Sequence, residues 1–477
     1  MSAERRPLPA GQTELLLLLA AVLGRLPALG AWWHGADWEL LGRARGLAGV
    51  GEAPVFWFSQ VAYWKALGPL LGTDPGPWAA TRLLLHGAAA ALAHRIALRA
   101  GGSRTGAFAA ALLVSVSPFA FAPLYRAAGV SELLGATLSL LCIERLLAGG
   151  PRAAAAAAIA GLLAVLSQEC ALGLPVLAAA LAFGGDRARR RERLAVAAVL
   201  TVAAGLAVAL LLRAAGAPGQ ARALPHLAYA VWIAAAIIPG TVLARRRAGP
   251  RTVIVLLLPF AAAALSWGAM EWRLARRGAD GLPADQLVRS TAVSHEALQT
   301  LRAVPAGPAK RLAILQPAAL HAVQVGDPAA DGAYPTLVRT SLAGDLGPIL
   351  LGPRGATIAW TTDPNRIPSD ATVLLDAGAR LLYWGPAPQA FLYLTLTQIG
   401  LGRAAEAAGV FERGLRRSPP TLPFQFDAGQ LPVTPDAVLA GAPAFLAAVD
   451  GADLPPTERA ALAGAARDLL ARCGAGF

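Results

Sequence analysis

The chain has 477 residues, of which 56% are hydrophobic and 15% are charged, whereas an ordinary soluble domain has about 25% charged residues. The mean hydropathy of +0.52 and the apolar stretches that recur through residues 1–275 exclude an ordinary soluble protein and predict a helical membrane protein. The net charge of +13 does not predict nucleic-acid binding, because only two basic residues are lysines and the arginines cluster between apolar segments, as cytoplasmic membrane loops do.

About nine membrane spans are predicted, with the N-terminus in the cytoplasm and a first helix that is retained rather than cleaved. The alanine-rich run 153–184 is about 48 Å long as one helix, too long for a single span of about 30 Å. We therefore split it at Ser167–Cys170, which also keeps the basic cluster 186–193 on the cytoplasmic side. The spans cover about 13–33, 78–98, 105–122, 129–148, the two halves of 153–184, 194–214, 226–244 and 252–272.

The first predicted outer loop, 32–77, holds most of the chain's notable residues. Tryptophan favours the headgroup layer of a membrane, so the loop is predicted to lie along the membrane surface. Its acids lie beside bases, an arrangement suited to a charged lipid-linked substrate; the alternative is an interfacial loop with solvated charges. The tryptophans in or next to the loop are Trp32, Trp33, Trp38, Trp57, Trp64 and Trp78, and the charged residues are Asp37, Glu39, Glu52, Arg43, Arg45 and Lys65.

After residue 275 the composition changes, and a smaller extracytoplasmic α+β domain is predicted. Short apolar runs at 311–316, 356–362 and 371–384 predict strands, the last one a hairpin about Asp376–Gly378. The segment 388–418 predicts two helices that meet at Gly400–Gly402, and 434–472 predicts two more. The predicted domains are thus 1–275, 276–387 and 388–477.

The predicted topology brings three acids to one side of the membrane: Asp37, Glu132 and Glu169. Ionisable groups at membrane depth are costly and often functional. Each acid also has a structural explanation, since Glu132 is placed to stabilise a helix N-terminus and Glu169 to pair with an arginine. Arg82 and His86, one turn apart in the second span, are further candidates, although a single histidine in a span is more often packed than catalytic. The sequence shows neither a metal-binding spacing nor a phosphate-binding glycine loop.

The first motifs resemble the GT-C glycosyltransferases, polytopic enzymes that use lipid-phosphate-linked sugars. The closest branch is that of the transmembrane and tetratricopeptide-repeat O-mannosyltransferases. Asp37 matches the first member of the acidic pair that this branch carries in its first outer loop, and Glu39 lies one place beyond the second. In the run Arg82–His86, the histidine matches the family and Arg82 replaces an asparagine.

Later motifs follow in the same order. Pro118 and Glu132 keep the spacing of a family His-Pro and a downstream acid, with Ser117 in place of the histidine. Glu169 and Pro175 match a Lys-Glu element in which Gln168 replaces the lysine. The segment 389–419 resembles one tetratricopeptide-type hairpin. Residues 13–185 carry most of the resemblance.

The resemblance implies transfer of a sugar from a polyprenyl-phosphate donor to a hydroxyl acceptor, outside the cytoplasmic membrane of a bacterium and without a metal or other cofactor. It implies catalytic roles for Asp37, as the base, and for Glu132. A catalytically inactive scaffold and a transporter or flippase remain alternatives. Substrate-binding roles are predicted for Glu39, Arg43, Lys65, Arg82, His86, Arg126 and Glu169.

Overall fold

A computed structural model of the protein describes residues 11–47, 56–184, 189–214, 233, 250–304, 311–316, 336–352, 356–417 and 428–475. They divide into two compact units, Met1–Ala292 and Val293–Phe477. The sequence-based boundaries lie at 275 and 387 instead.

The first unit consists of helices that pack through small residues. Gly87 allows the helix Pro75–Arg99 to approach the helix Gln12–Leu23, because a Cβ there would lie 2.9 Å from Cγ of Leu18. Small residues play this part in many membrane helix pairs. The helices are α1 Gln12–Leu23, α2 Ala36–Ala44, α3 Tyr63–Leu71, α4 Pro75–Arg99, α5 Arg104–Ser115, α6 Phe121–Tyr125, α7 Val130–Ala148, α8 Pro151–Val165, α9 Leu174–Gly184, α10 Arg190–Ala214, α11 Pro250–Ala275 and α12 Gln286–Ala303, the last of which crosses into the second unit.

Three segments within the described residues are long and apolar enough to cross a membrane, namely Arg104–Tyr125, Ala127–Ala148 and Arg190–Leu210. Shorter apolar helices cover Gln12–Leu23, Pro151–Val165 and Glu169–Phe183. These findings support a helical membrane protein, but they do not reproduce nine full spans. The first predicted span, 13–33, is interrupted because α1 ends before Gly24, and a separate 3₁₀ turn covers Leu26–Gly30, with Pro27 in its first positions. The predicted span 226–244 lies outside the described residues, apart from Ile233.

The split of the alanine-rich run is confirmed. Helix α8 ends at Val165, a 3₁₀ turn covers Glu169–Gly173, and α9 then begins at Leu174. Part of the basic cluster that follows caps helix ends. Arg189 donates to the carbonyls of Leu147 and Ala148, and Arg193 donates to that of Leu181. Cations at helix C-termini satisfy unpaired carbonyls and complement the helix dipole.

The second unit contains a four-stranded mixed sheet of order β2-β1-β3-β4, formed by β1 Arg311–Leu315, β2 Thr357–Thr361, β3 Thr372–Asp376 and β4 Leu381–Pro386. All predicted strands are present, and β3 and β4 form the predicted antiparallel hairpin. The sequence did not predict that β1 pairs in parallel with both β2 and β3, with Leu312 opposite Ile358 on one side and Thr372 on the other.

Helices follow the sheet, as predicted. Helix α15 Ala387–Gly400 and α16 Ala404–Arg417 form the helical hairpin, and Gly402 between them has φ +73°, a conformation that favours glycine. The predicted tail helices are α17 Pro435–Asp450 and α18 Pro456–Ala475. Two short helices, α13 Leu337–Ser341 and α14 Leu346–Leu351, lie between β1 and β2. One apolar core joins β3 and β4 to α15–α18 through Trp384, Phe391, Phe411 and Phe445.

Candidate functional site

The tryptophans of the first loop form a packed core rather than a row along a membrane surface. Trp33, Trp38, Trp64 and Trp78 are buried, and the rings of Trp64 and Trp78 stack with centroids 4.4 Å apart. Two of the four indole nitrogens find partners inside the loop, since Trp33 donates to the carbonyl of Thr73 and Trp78 to that of Gly72. The indole nitrogen of Trp64 has no hydrogen-bond partner among the described residues. The headgroup-layer interpretation is therefore wrong for these four, whereas Trp57 is 53% exposed.

The loop places Asp37 in the first turn of α2, where its side chain is buried at 1% exposure. One carboxylate oxygen, Oδ1, accepts from the backbone N–H of Ala128 at 2.7 Å. Among the described residues, the other oxygen, Oδ2, has only longer contacts of 3.4 Å, with the backbone nitrogen and Nδ1 of His34. Because hydrogen bonds to carboxylates are usually shorter than 3 Å, Oδ1 is firmly held and Oδ2 is held weakly.

His34 is a buried member of this site that the sequence analysis did not select. Its Nδ1 lies 3.3 Å from the carbonyl oxygen of Trp32 and 3.4 Å from Oγ1 of Thr291, in addition to its contact with Asp37. The sequence feature that could have indicated His34 is its position three residues before Asp37, just before α2 begins. A histidine beside a carboxylate is a common proton-handling pair.

Glu132 lies in the first turn of α7, close to the turn that binds Asp37. Its Oε1 accepts from Nη2 of Arg126 at 2.9 Å, and the glutamate is buried while Arg126 is about one-third exposed. The buried Nε of Arg126 has no hydrogen-bond partner among the described residues. Arg126 therefore retains a donor for a further anionic or polar group.

Glu169 belongs to the 3₁₀ turn between α8 and α9, and this turn packs against α7. Both Glu169 and Glu132 are close enough to Cys170 for their charges to act on its thiol. The chain next to this turn approaches α7 closely because position 135 of α7 is a glycine. A Cβ on Gly135 would lie only 2.5 Å from Cβ of Gln168. The two glutamates are thus brought to the same end of α7.

A second part of the first loop docks on the same region. Ser59 donates its hydroxyl to the carbonyl of Ser167 at 2.8 Å, and the backbone N–H of Phe58 donates to that of Leu166 at 3.1 Å. The loop thus contacts the residues that precede each glutamate: Ala128 before α7, and Leu166 and Ser167 before the 3₁₀ turn. The structure therefore places Asp37, Glu132 and Glu169 around the N-terminus of α7. We call this group, together with Arg126, the acid end of α7.

Arg82 and His86 of α4 have different surroundings. Arg82 is buried, its Nε donates to the carbonyl of Leu124 at 3.0 Å, and its charge interacts with that of Asp37. His86 is fully buried and donates from Nε2 to the carbonyl of Ser115 at 3.0 Å, which links α4 to α5. Arg82 thus belongs to the surroundings of the acid end, whereas the contact of His86 is that of a packed histidine.

The remaining candidates lie on α2 and α3. Glu39 is 52% exposed and pairs loosely with Arg43, 3.8 Å away on the next turn. Arg43 is mostly buried and also donates to Oε1 of Gln60 at 3.2 Å. Lys65 is exposed. Asp37 is thus enclosed by the protein and Glu39 is not, while Glu52, the third acid of the loop, lies outside the described residues.

The described residues contain no group of three histidine, cysteine, aspartate or glutamate side chains placed to hold a metal ion. Comparison of the chain with protein-family models, curated proteins and solved structures gives no match.

Proposed function

We propose that this protein is a membrane glycosyltransferase that moves a sugar from a polyprenyl-phosphate donor to a hydroxyl acceptor. The observation that carries this proposal is the acid end of α7, where three segments distant in sequence contribute Asp37, Glu132 and Glu169. Three acids gathered near apolar helices are costly unless they serve a purpose. Their order along the chain is also the order in which the GT-C resemblance places its acids.

In the proposed reaction the acceptor hydroxyl attacks the anomeric carbon of the donor sugar. A new carbon–oxygen bond forms, the bond to the phosphate oxygen breaks, and the polyprenyl phosphate leaves with the bonding electrons. Oδ2 of Asp37 takes the hydroxyl proton, because Oδ1 is already engaged by the Ala128 N–H. The transition state has oxocarbenium character, so a weak base in a dry site is sufficient.

The leaving phosphate needs cationic partners. Arg126 is suited to this role, since it is partly exposed and keeps an unpartnered Nε among the described residues. Arg82 adds a buried positive charge near Asp37. Lys65 is exposed on the same loop and is free to approach a lipid headgroup. Glu132 orients Arg126 through their 2.9 Å contact.

We further propose that the protein lies in a bacterial inner membrane with its N-terminus in the cytoplasm, and that the acid end and the C-terminal unit are extracytoplasmic. The motivation is the arginine distribution, which follows the positive-inside rule. Reporter fusions truncated after Gly150 are expected to read as cytoplasmic and those after Gly173 as external. The same location for both reporters would contradict the placement of the acid end.

A second candidate is a relative that binds the lipid donor without transferring sugar. It is favoured by the burial of Asp37 and by its hydrogen bond to a backbone N–H, which also suits a purely structural carboxylate. Two measurements on purified protein separate the candidates: mass spectrometry of co-purified lipids, and sugar transfer from a polyprenyl-phosphate sugar in proteoliposomes. Lipid binding with transfer supports the enzyme, lipid binding without transfer supports the second candidate, and the absence of both contradicts the two together.

A further inference from the structure

The C-terminal unit contains a cavity of about 390 Å³ between the helical hairpin and the turn that follows β2. Its volume is in the range of small-ligand sites, about 300–1,000 Å³. The floor is formed by Leu394, Gln398 and Val410, and polar residues from the turn and from α16 form the rim. None of these residues belongs to the acid end of α7, so ligand binding in this cavity does not depend on the proposed glycosyl transfer.

Gln398 at the floor is the first sign of a ligand. It is only 6% exposed, and its buried Oε1 has no hydrogen-bond partner among the described residues. Other buried polar side chains of α15 are satisfied within the helix: Thr395 donates to the carbonyl of Phe391 and Thr397 to that of Tyr393, each at 2.8 Å. A buried acceptor without a donor is unfavourable. A ligand with an N–H or O–H group in the cavity would satisfy Oε1 of Gln398.

Arg413 at the rim is the second, independent sign. No ion-pair partner is found for it in the described part of the chain, whereas Arg403, also at the rim, lies 3.5 Å from Glu406 and the neighbouring Arg416 lies 2.9 Å from Glu412. Its Nη1 lies 3.5 Å from where a Cβ on Gly409 would be, so the guanidinium lies along the cavity wall. A guanidinium in this position favours a planar anion that accepts two parallel hydrogen bonds.

The rim also limits the charge of the ligand. Asp363 and Glu406 line the cavity together with the two arginines, so a doubly charged phosphate would meet two carboxylates. A singly charged carboxylate pairs with Arg413 with less repulsion. Leu394 and Val410 leave an apolar surface for a small aliphatic side chain.

We propose that this cavity binds a carboxylate that carries a neighbouring N–H group and a small apolar side chain, as in the carboxyl-terminal residue of a peptide. The carboxylate pairs with Arg413, and the N–H donates to Oε1 of Gln398. A free acylated amino acid and the end of a longer chain share this chemistry.

Isothermal titration of the full-length protein in nanodiscs with N-acetyl-Ala-Ala tests the proposal. Binding is expected, with at least about tenfold weaker binding of the C-terminal amide, which lacks the charge, and of N-acetyl-alanyl-lactate, which lacks the N–H. A hexapeptide ending in Ala-Ala distinguishes the end of a longer chain from a free acylated amino acid. Tighter binding than the dipeptide indicates a chain terminus, and weaker binding indicates a free acid. Lack of binding of both, or equal binding of inorganic phosphate, would overturn the proposal.

Two variants test the residues. Arg413→Gln is expected to weaken dipeptide binding at least about tenfold, and Arg416→Gln, the same change on the same helix outside the cavity, to leave it within about twofold. Gln398→Met keeps the shape and removes the unpartnered acceptor, so it is expected to raise the unfolding temperature while weakening binding. A lower unfolding temperature with unchanged binding would assign Gln398 a structural role and contradict the proposal.

Discussion

The two ends of helix α7 carry similar ion pairs in different surroundings. At its N-terminus Glu132 pairs with Arg126 at 2.9 Å, and near its C-terminus the buried Glu144 pairs with Arg99 at 2.8 Å and Arg145 at 3.2 Å. Each placement has a local explanation, because acids suit a helix N-terminus and cations suit a C-terminus. A buried acid–arginine pair is therefore not in itself a sign of function.

The two ends differ in the ratio of acidic to basic side chains. The C-terminal end, which we call the arginine end, has more bases than acids, and Arg189 and Arg193 use their donors on backbone carbonyls. The acid end adds Asp37 and Glu169 from two other segments. There Oδ2 of Asp37 makes only long contacts, and Nε of Arg126 has no partner among the described residues. Pairing is incomplete at both ends, since the buried Oε2 of Glu144 also makes no hydrogen bond among the described residues. The comparison teaches that the gathering of acids from three separate segments, rather than burial or unsatisfied polar atoms alone, marks the candidate site.

Asp37→Asn gives the sharpest test of this difference. Asparagine can still accept from the Ala128 N–H but cannot take a proton. We expect expression and lipid binding near those of the wild type, and sugar transfer in proteoliposomes reduced by roughly a hundredfold or more, the scale for loss of a general base. Unchanged transfer in this variant would show that Asp37 is structural and that the two ends do not differ in function.

The sequence predicted the parts of this comparison that depend on local patterns. The helix break at Ser167–Cys170 followed from a hydrophobic length too great for one span. The side of the membrane on which the three acids lie stays a prediction from the span count and the arginine distribution. The strands and the helical hairpin of the C-terminal unit likewise followed from apolar periodicity and from Gly402.

Other features depended on contacts between distant segments. Tryptophan is common both at membrane interfaces and in packed cores. Composition alone therefore could not show that Trp64 stacks on Trp78. The position of His34 beside Asp37 is local, but its contact with Thr291 joins segments 257 residues apart in sequence. The parallel pairing of β1 with β2 and β3 also depends on crossovers that strand patterns do not reveal. The cavity at Gln398 was missed for the same reason, because the turn after β2 forms one of its walls.

Two glycine substitutions, one on α7 and one on α8, distinguish the effect of displacing Glu169 from the effect of general destabilisation. Gly135→Ala would place a Cβ 2.5 Å from Cβ of Gln168, so the turn that carries Glu169 has to move away from α7. Gly161→Ala would place one 2.6 Å from Cδ2 of Leu200, the movable end of a side chain. Both are expected to cost about 1–3 kcal/mol of stability.

We expect Gly135→Ala also to lower transfer by about tenfold, since small displacements at a site reduce catalysis strongly. Gly161→Ala is expected to retain the transfer rate per folded molecule. Thermal unfolding in detergent and transfer assays at a temperature below both transitions provide the measurements. Equal losses of transfer in the two variants would indicate that general destabilisation, not the position of Glu169, is the cause.

Glu144→Gln tests the arginine end. The glutamate is 1% exposed, but both arginine partners are about two-fifths exposed, so screening by solvent reduces the effect. We expect a loss of about 1–2 kcal/mol, below that for a fully buried pair, and an unchanged transfer rate per folded molecule. The unfolding temperature and the transfer rate report these separately. A large loss of transfer with normal stability would mean that this end also takes part in the reaction.

Glu39→Gln is expected to have the smallest effect, although Glu39 lies only two residues from Asp37. Glu39 is half exposed, and its contact with Arg43 is 3.8 Å long, which is typical of surface pairs that contribute about 0–1 kcal/mol. Asp37 differs because the protein encloses it and the Ala128 N–H orients it. We therefore expect Glu39→Gln to change transfer by less than about threefold. If Glu39→Gln abolished transfer while Asp37→Asn remained active, the exposed acid would be the base, and the enclosed carboxylate would serve to hold the first loop on the N-terminus of α7.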